Sequence, residues 1–141
     1  MTRREKSVHR SLRLGSSLVA SLLRRADEAG ESANRLAERY IDEGLRRDEH
    51  PLIGFRDGAG GRRAALAGTR LDVWQVIETL RSSDNSAAET AAYLEIPEAW
   101  VRAAARYYGA YGEEVDEFAE RARAIAEREE ELWRGEQAVL A

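Results

Sequence analysis

Hydrophobic and polar positions change period along this chain, and each change predicts an element. Over residues 6–14 they alternate. Val8, Leu12 and Leu14 fall on one face, which Arg10 interrupts, while Ser7, His9, Ser11 and Arg13 fall on the other. A period of two is that of a strand with one face buried. Gly15 ends the alternation, and the spacing then becomes helical. Ser16 or Ser17 is placed to cap a helix with Leu18, Val19, Leu22, Leu23 and Ala26 inward, closing at Gly30. Ser32 is placed to cap a second helix with the stripe Leu36, Ala37, Tyr40, Ile41 and Leu45, and Pro51 marks the end of this unit.

Residues 50–70 are rich in glycine, and short apolar pieces at 52–55 and 64–66 flank the glycines as the arms of a small hairpin. Leu71, Trp74, Ile77 and Leu80 then give a helical stripe that ends in the turn Ser82-Ser83-Asp84-Asn85. Ser86 and Glu89 have the spacing of a capping box before a short helix carrying Ala88, Ala91, Ala92 and Leu94. Pro97 is placed as the first residue of the next helix, with Trp100, Val101, Ala104 and Tyr108 inward. After Gly109 and Gly112 a last helix is expected to about Trp133, its stripe being Val115, Phe118, Ala122, Ile125 and Leu132, broken by Glu129.

A single strand followed by two amphipathic helices leaves the strand's N–H and C=O groups unpaired. The simplest remedy is a twofold homodimer in which residues 6–14 pair antiparallel with their copy under four helices. A two-stranded ribbon fits the major groove of DNA, and its outward face here is Ser7, His9, Ser11 and Arg13. An edge strand shared with residues 50–70 is the alternative. The turn from Gly30 to Asn34 leaves free amides at a helix N-terminus, suited to a phosphate.

These features together resemble a ribbon-helix-helix DNA-binding domain over residues 6–47, about a third of the chain: the alternating strand, the Leu14-Gly15-Ser16 entry and the Gly-x-Ser turn between helices. The resemblance implies an obligate dimer that binds double-stranded DNA. His9, Ser11 and Arg13, with Ser7, would read bases, and Ser32, Ala33 and Asn34 would hold phosphate, with Arg3 and Arg4 as a basic arm. Arg10, where an apolar inward residue is usual, departs from the pattern.

Residues 86–108 have the dimensions of a helix-turn-helix, with Glu98, Arg102 and Arg106 on the exposed face of its second helix. The longer stretch from His50-Pro51 to Tyr108, with Gly60-Gly61-Arg62-Arg63, Gly68-Thr69-Arg70-Leu71 and the Trp74…Leu80 helix ahead of that helix-turn-helix, resembles the winged-helix domain of VapB-type antitoxins, with an insertion at 56–59. This resemblance implies a second DNA site built from Arg62, Arg63, Arg70, Arg102 and Arg106. A three-helix packing unit without DNA contact is the alternative.

The net charge of −4 argues against nucleic acid only until it is divided along the chain. Residues 1–47 hold 11 basic against 7 acidic side chains, whereas residues 112–141 hold 4 against 10. The basic end and the acidic end therefore call for different partners. The last helix either solvates its charge through i,i+4 pairs, with Val115, Phe118, Ala122, Ile125 and Leu132 buried on the chain itself or on a dimer mate, or it docks on a basic protein, as antitoxin C-termini do with toxins. Chemistry is sparse. There is no cysteine, and only His9 and His50 are available as imidazoles, so no disulfide, thiol nucleophile, metal site or cofactor is expected. Gly58-Ala59-Gly60-Gly61 lacks a phosphate-loop lysine, Glu113-Glu114 lies on a polar helix, and the aromatics fall at core spacing, so no enzyme is expected. No stretch has the length and apolarity of a membrane span or a signal peptide core.

The expectation is a mainly α protein: a dimeric ribbon-helix-helix domain over 1–48, a winged-helix module over 50–111 and an amphipathic acidic helix over 112–134. Its expected role is that of a cytoplasmic bacterial repressor, associated with the nucleoid when DNA-bound. The alternative is an antitoxin that neutralises a toxin through its C-terminal region and autoregulates its operon. A dimeric adaptor without DNA contact is the third reading.

Overall fold

A computed structural model describes residues 5–141, so Arg3 and Arg4 lie outside the described residues. Among the described residues, five helices and one two-stranded antiparallel sheet make the fold mainly α. The chain divides into two compact units, Met1–Glu49 and His50–Ala141, so residues 112–141 fall in the second unit.

The first unit is a helical pair, α1 (Ser16–Ala29) and α2 (Ala33–Glu49). Gly30 ends α1 in the left-handed region, at φ 64°, where a Cβ would be costly. The expected serine cap of α1 is not used. Gly15 is the N-cap with no side-chain bond, and Ser16 already lies in the first turn, because the chain leaves its extended course one residue earlier. Ser32 does cap α2, its Oγ accepting the Arg35 N–H at 3.4 Å. Among the described apolar residues of this unit only Ala26 and Leu36 are buried, whereas Val8, Leu12, Leu14, Leu18, Leu23, Tyr40, Ile41 and Leu45 are exposed. Two buried side chains cannot offset a backbone ordering cost of about 1–2 kcal/mol per residue. By itself this unit has a face without a core.

The second unit has the core. Strands β1 (Ile53–Arg56) and β2 (Arg63–Leu66) pair with Ile53 opposite Leu66 and Arg56 opposite Arg63, so the hairpin falls where the apolar pieces flank the glycines. No strand from residues 6–14 joins this sheet. Helices α3 (Val73–Ser82), α4 (Ala87–Leu94) and α5 (Glu98–Leu140) pack with it around Ile53, Leu66, Val73, Val76, Ile77, Val101, Ala104 and Tyr107. Each of the Val, Leu and Ile side chains among them, fully buried, contributes about 1.5–3 kcal/mol.

Several predicted details shift. On α3 the deepest positions are Val73, Val76 and Ile77, with Trp74 and Leu80 half-buried, because the Trp74 indole turns aside to Asp72. On α5 Tyr107 is fully buried and Tyr108 only partly. The reciprocal capping box sits at Asp72 and Gln75. At Ser86 only the hydroxyl-to-Glu89 amide half forms, at 3.1 Å. Pro97 is the N-cap of α5 and not its first helical residue, its ψ of 142° being extended.

The break expected between Gly109 and Gly112 is a kink. One residue, Tyr111, leaves helical geometry at φ −129°, ψ 30°, and α5 then continues to Leu140. Side chains brace the kink. Tyr108 Oη donates to Asp116 at 2.8 Å across it and accepts from Arg81 of α3 at 2.5 Å. The hydrogen bond to the Asp116 carboxylate, aided by partial burial and opposed by Arg81, raises the Tyr108 hydroxyl above its ordinary value. Beyond the kink, Val115, Phe118 and Ala119 are buried in the second unit, so the last helix is part of that unit's core before it is anything else.

Candidate nucleic-acid interface

Residues 5–15 form no regular element and, among the described residues, residues 5–14 make no backbone hydrogen bond within the chain. Their side chains nevertheless keep the two-sided arrangement of an extended segment. His9 Nε2 and Ser11 Oγ meet at 3.5 Å on one side. Leu12 and Leu14, also two residues apart, both line a groove of about 480 Å³ together with Leu18, Leu22, Tyr40 and Ile41. Arg24, Arg25 and Glu28 stand along the same groove. His9 with Ser11 and Leu12 with Leu14 are thus each grouped at the two-residue spacing of an extended chain, while Val8 is 83% exposed.

The charge of this unit is largely uncompensated by contact. Arg25, Arg39 and Arg46 have acidic neighbours in Glu28, Glu31 and Asp42. Lys6, Arg10, Arg13, Arg24 and Arg35 make no ion pair among the described residues. At the start of α2 the Ala33 and Asn34 amides have no hydrogen-bond acceptor among the described residues, while the next two are held by Ser32: Arg35 N–H by its Oγ, and Leu36 N–H by its carbonyl at 3.0 Å. Two free donors at a helix start next to an exposed serine can donate to a phosphate oxygen.

No family model, curated protein or solved structure matches the chain. Function therefore rests on the geometry of the two units themselves.

In the second unit the predicted cationic set divides. Arg63 is spent internally: its Nε donates to Asp72 Oδ2 at 3.1 Å, while Arg56 Nη2 donates to Asp72 Oδ1 at 2.6 Å. Arg62 pairs with Asp57 at 3.2 Å and Arg102 with Glu98 at 2.9 Å. Arg70 and Arg106 are exposed and make no ion pair among the described residues. The hairpin tip is also held down. Arg121 Nε donates to the Gly60 carbonyl at 3.2 Å, and the guanidinium groups of Arg63 and Arg121 lie 5.6 and 5.4 Å from the centroid of the Phe118 ring. A Cβ at Gly60, where φ is 89°, would meet Phe118 at 3.2 Å.

Asp72 is the residue that sequence reasoning missed. It is buried, ties β1, β2 and the Trp74 Nε1 together, and starts α3. The signal was present in Asp72-Val73-Trp74-Gln75, an acidic cap followed three residues on by glutamine. The partner helix residues also separate. Val115 and Phe118 are buried and Ala122 and Ile125 half-buried, but Leu132 is 50% exposed, as are Trp133, Val139 and Leu140 to a greater degree. Among the described residues no group of His, Asp and Glu is placed to hold a metal, and no helix is long and apolar enough to cross a membrane.

Proposed function

We propose that this protein is a homodimeric, sequence-specific DNA-binding regulator, a repressor in action, whose N-terminal unit is a ribbon-helix-helix domain. One observation carries the reading: in residues 6–14 His9 meets Ser11 while Leu12 and Leu14 line the groove, with no backbone partner among the described residues and a helical pair whose apolar groove is open. A second copy supplies both the ladder and the cover. The ribbon then presents His9, Ser11 and Arg13 from each chain to the major groove, with Ser7 at its end, and the Ser32-Ala33-Asn34 turn grips the backbone.

The direct test is Arg13→Ala, assayed on the DNA upstream of the gene at fixed salt. Loss of a bidentate base contact should cost about 1–3 kcal/mol, roughly 5- to 150-fold in affinity, and relax specificity at one position in each half-site. Unchanged binding by a folded dimer would remove the strand from the reading role.

The exposed distal part of α5 favours a second, compatible reading as an antitoxin. Leu132, Trp133, Val139 and Leu140 are exposed on a segment that is acidic overall, which is the chemistry of a surface for a basic protein partner. The winged-helix resemblance of the second unit belongs to that reading, with Arg70 and Arg106 as its remaining free cations.

A further inference from the structure

We infer that the distal part of α5 is a seat for one basic helix of another protein, whose cations, spaced seven residues apart, meet Glu129 and Glu136. The inference rests on the basic-partner reading of α5 given above and adds to it where the charges of that partner must stand.

Helical spacing places Glu129 among Ile125, Ala126, Leu132 and Trp133, and Glu136 among Leu132, Trp133, Val139 and Leu140, each three or four residues away. Each carboxylate therefore stands at the centre of an apolar strip, with apolar side chains on both flanks. The two lie about 10 Å apart along the helix axis. Neither makes an ion pair among the described residues. The arginines of the segment are committed elsewhere, Arg134 to Glu130 at 2.5 Å and Arg128 to Glu131 at 3.4 Å.

The same central line runs back through Ala122 and Val115 in steps of seven. Val115 is buried and Ala122 half-buried where the helix lies on its own unit, and the line turns acidic where that cover ends. Exposure to water accounts for the two glutamates but not for their flanks, because Leu132, Trp133, Val139 and Leu140 stay apolar and exposed. Covering those flanks takes both carboxylates out of water, which is costly unless each meets a cation. A second copy does not supply it. Paired parallel, it sets Glu129 on Glu129 and Glu136 on Glu136; paired antiparallel, it sets each against an apolar side chain. A strip that repeats every seven residues stays aligned only with a surface that winds with it, as a second helix does. The occupant is thus an amphipathic helix with apolar flanks and Arg or Lys at two central positions seven residues apart.

Two helical peptides probe the seat on the full-length protein. Both have one composition and one apolar strip. The first carries arginine at two central positions seven residues apart, and the second carries those arginines on its outer face. Fluorescence anisotropy should show the first binding about tenfold or more tighter than the second. Glu129→Gln with Glu136→Gln should remove that preference, whereas Glu130→Gln with Glu131→Gln should keep it; a preference that survives the first pair of changes overturns the inference. Equal binding of the two peptides overturns the central placement, and the basic-partner reading falls with it unless deleting residues 126–141 abolishes the binding. Binding of neither peptide overturns both. A second variant needs no peptide: Glu129→Leu with Glu136→Leu removes the charges that keep copies apart, so native mass spectrometry should show a doubling of the wild-type mass, reversed by adding Leu132→Ser. An unchanged mass, or a wild-type assembly that is halved by deleting residues 126–141, overturns the exclusion of a second copy and the inference with it.

Discussion

Asp72 shows how much one carboxylate can organise. It accepts from Arg56, Arg63 and the Trp74 indole and forms the reciprocal cap with Gln75, so two strands and a helix start converge on a buried charge. Both arginines retain partial access to water, with side-chain exposures of 31% and 20%, which lowers the penalty of leaving them unpaired below that of a fully buried pair. Asp72→Ala should therefore destabilise the second unit by about 2–4 kcal/mol, from the lost cap and the stranded guanidinium groups together. Urea unfolding followed by tryptophan fluorescence measures it, and Asp72→Asn, which keeps the capping oxygen, should lose less. The predicted DNA role of Arg63 competes with this network. A guanidinium that holds β2 to α3 is not free for a phosphate unless the hairpin moves.

At the scale of elements, α5 changes character along its length. Up to about residue 125 it is core and strap: Val115 and Phe118 are buried, and Ile125 and Phe118 close over Gly60. Beyond that it carries five glutamates and two arginines over residues 126–141, with its apolar side chains in solvent. Deleting residues 126–141 should leave the second unit's stability within about 0.5 kcal/mol, while deleting from residue 112 should cost about 3–5 kcal/mol or more by removing buried Val115 and Phe118. Thermal melts of the two truncations separate these outcomes. DNA affinity unchanged by the shorter deletion, with loss of a bound protein partner, would support the antitoxin reading. The sequence shows the stripe but not where it changes role. Val115, Phe118, Ile125 and Leu132 share one spacing, and only the position of the hairpin tip decides which of them are covered. The kink at Tyr111 was legible in Gly109 and Gly112, but not its extent. Two glycines cost about 1 kcal/mol each in a helix, which packing on both sides of the kink exceeds.

For the whole molecule, the two units differ in what stabilises them. The second buries a core of its own. Among the described residues, the first buries only Ala26 and Leu36 of its apolar side chains and leaves eight large apolar side chains exposed, so its folding is coupled to assembly under the homodimer proposal. Heating should give two transitions. The one assigned to the first unit should rise by a few degrees for each tenfold increase in protein concentration, while the other stays fixed. Scanning calorimetry over a hundredfold concentration range measures this, and two concentration-independent transitions would count against a dimer formed by the first unit.

The sequence by itself determined the elements and their order, because period, glycine position and capping residues are local properties. The helix end at Gly30, the Ser32 cap and the hairpin around the glycines are all written within a few residues, whereas the strand expected from the alternation at 6–14 is not formed in the single chain, which offers it no ladder partner. It also separated a basic end from an acidic one, which the net charge conceals. Tertiary structure alone decided which charges are free and which apolar faces are covered. Arg63 and Arg70 look alike in the sequence, yet one is fixed on Asp72 and the other has no acidic partner among the described residues. Phe118 and Leu132 share a stripe, yet one is buried and the other is not. The reason is that pairing and burial depend on residues distant along the chain, and no local pattern encodes that distance.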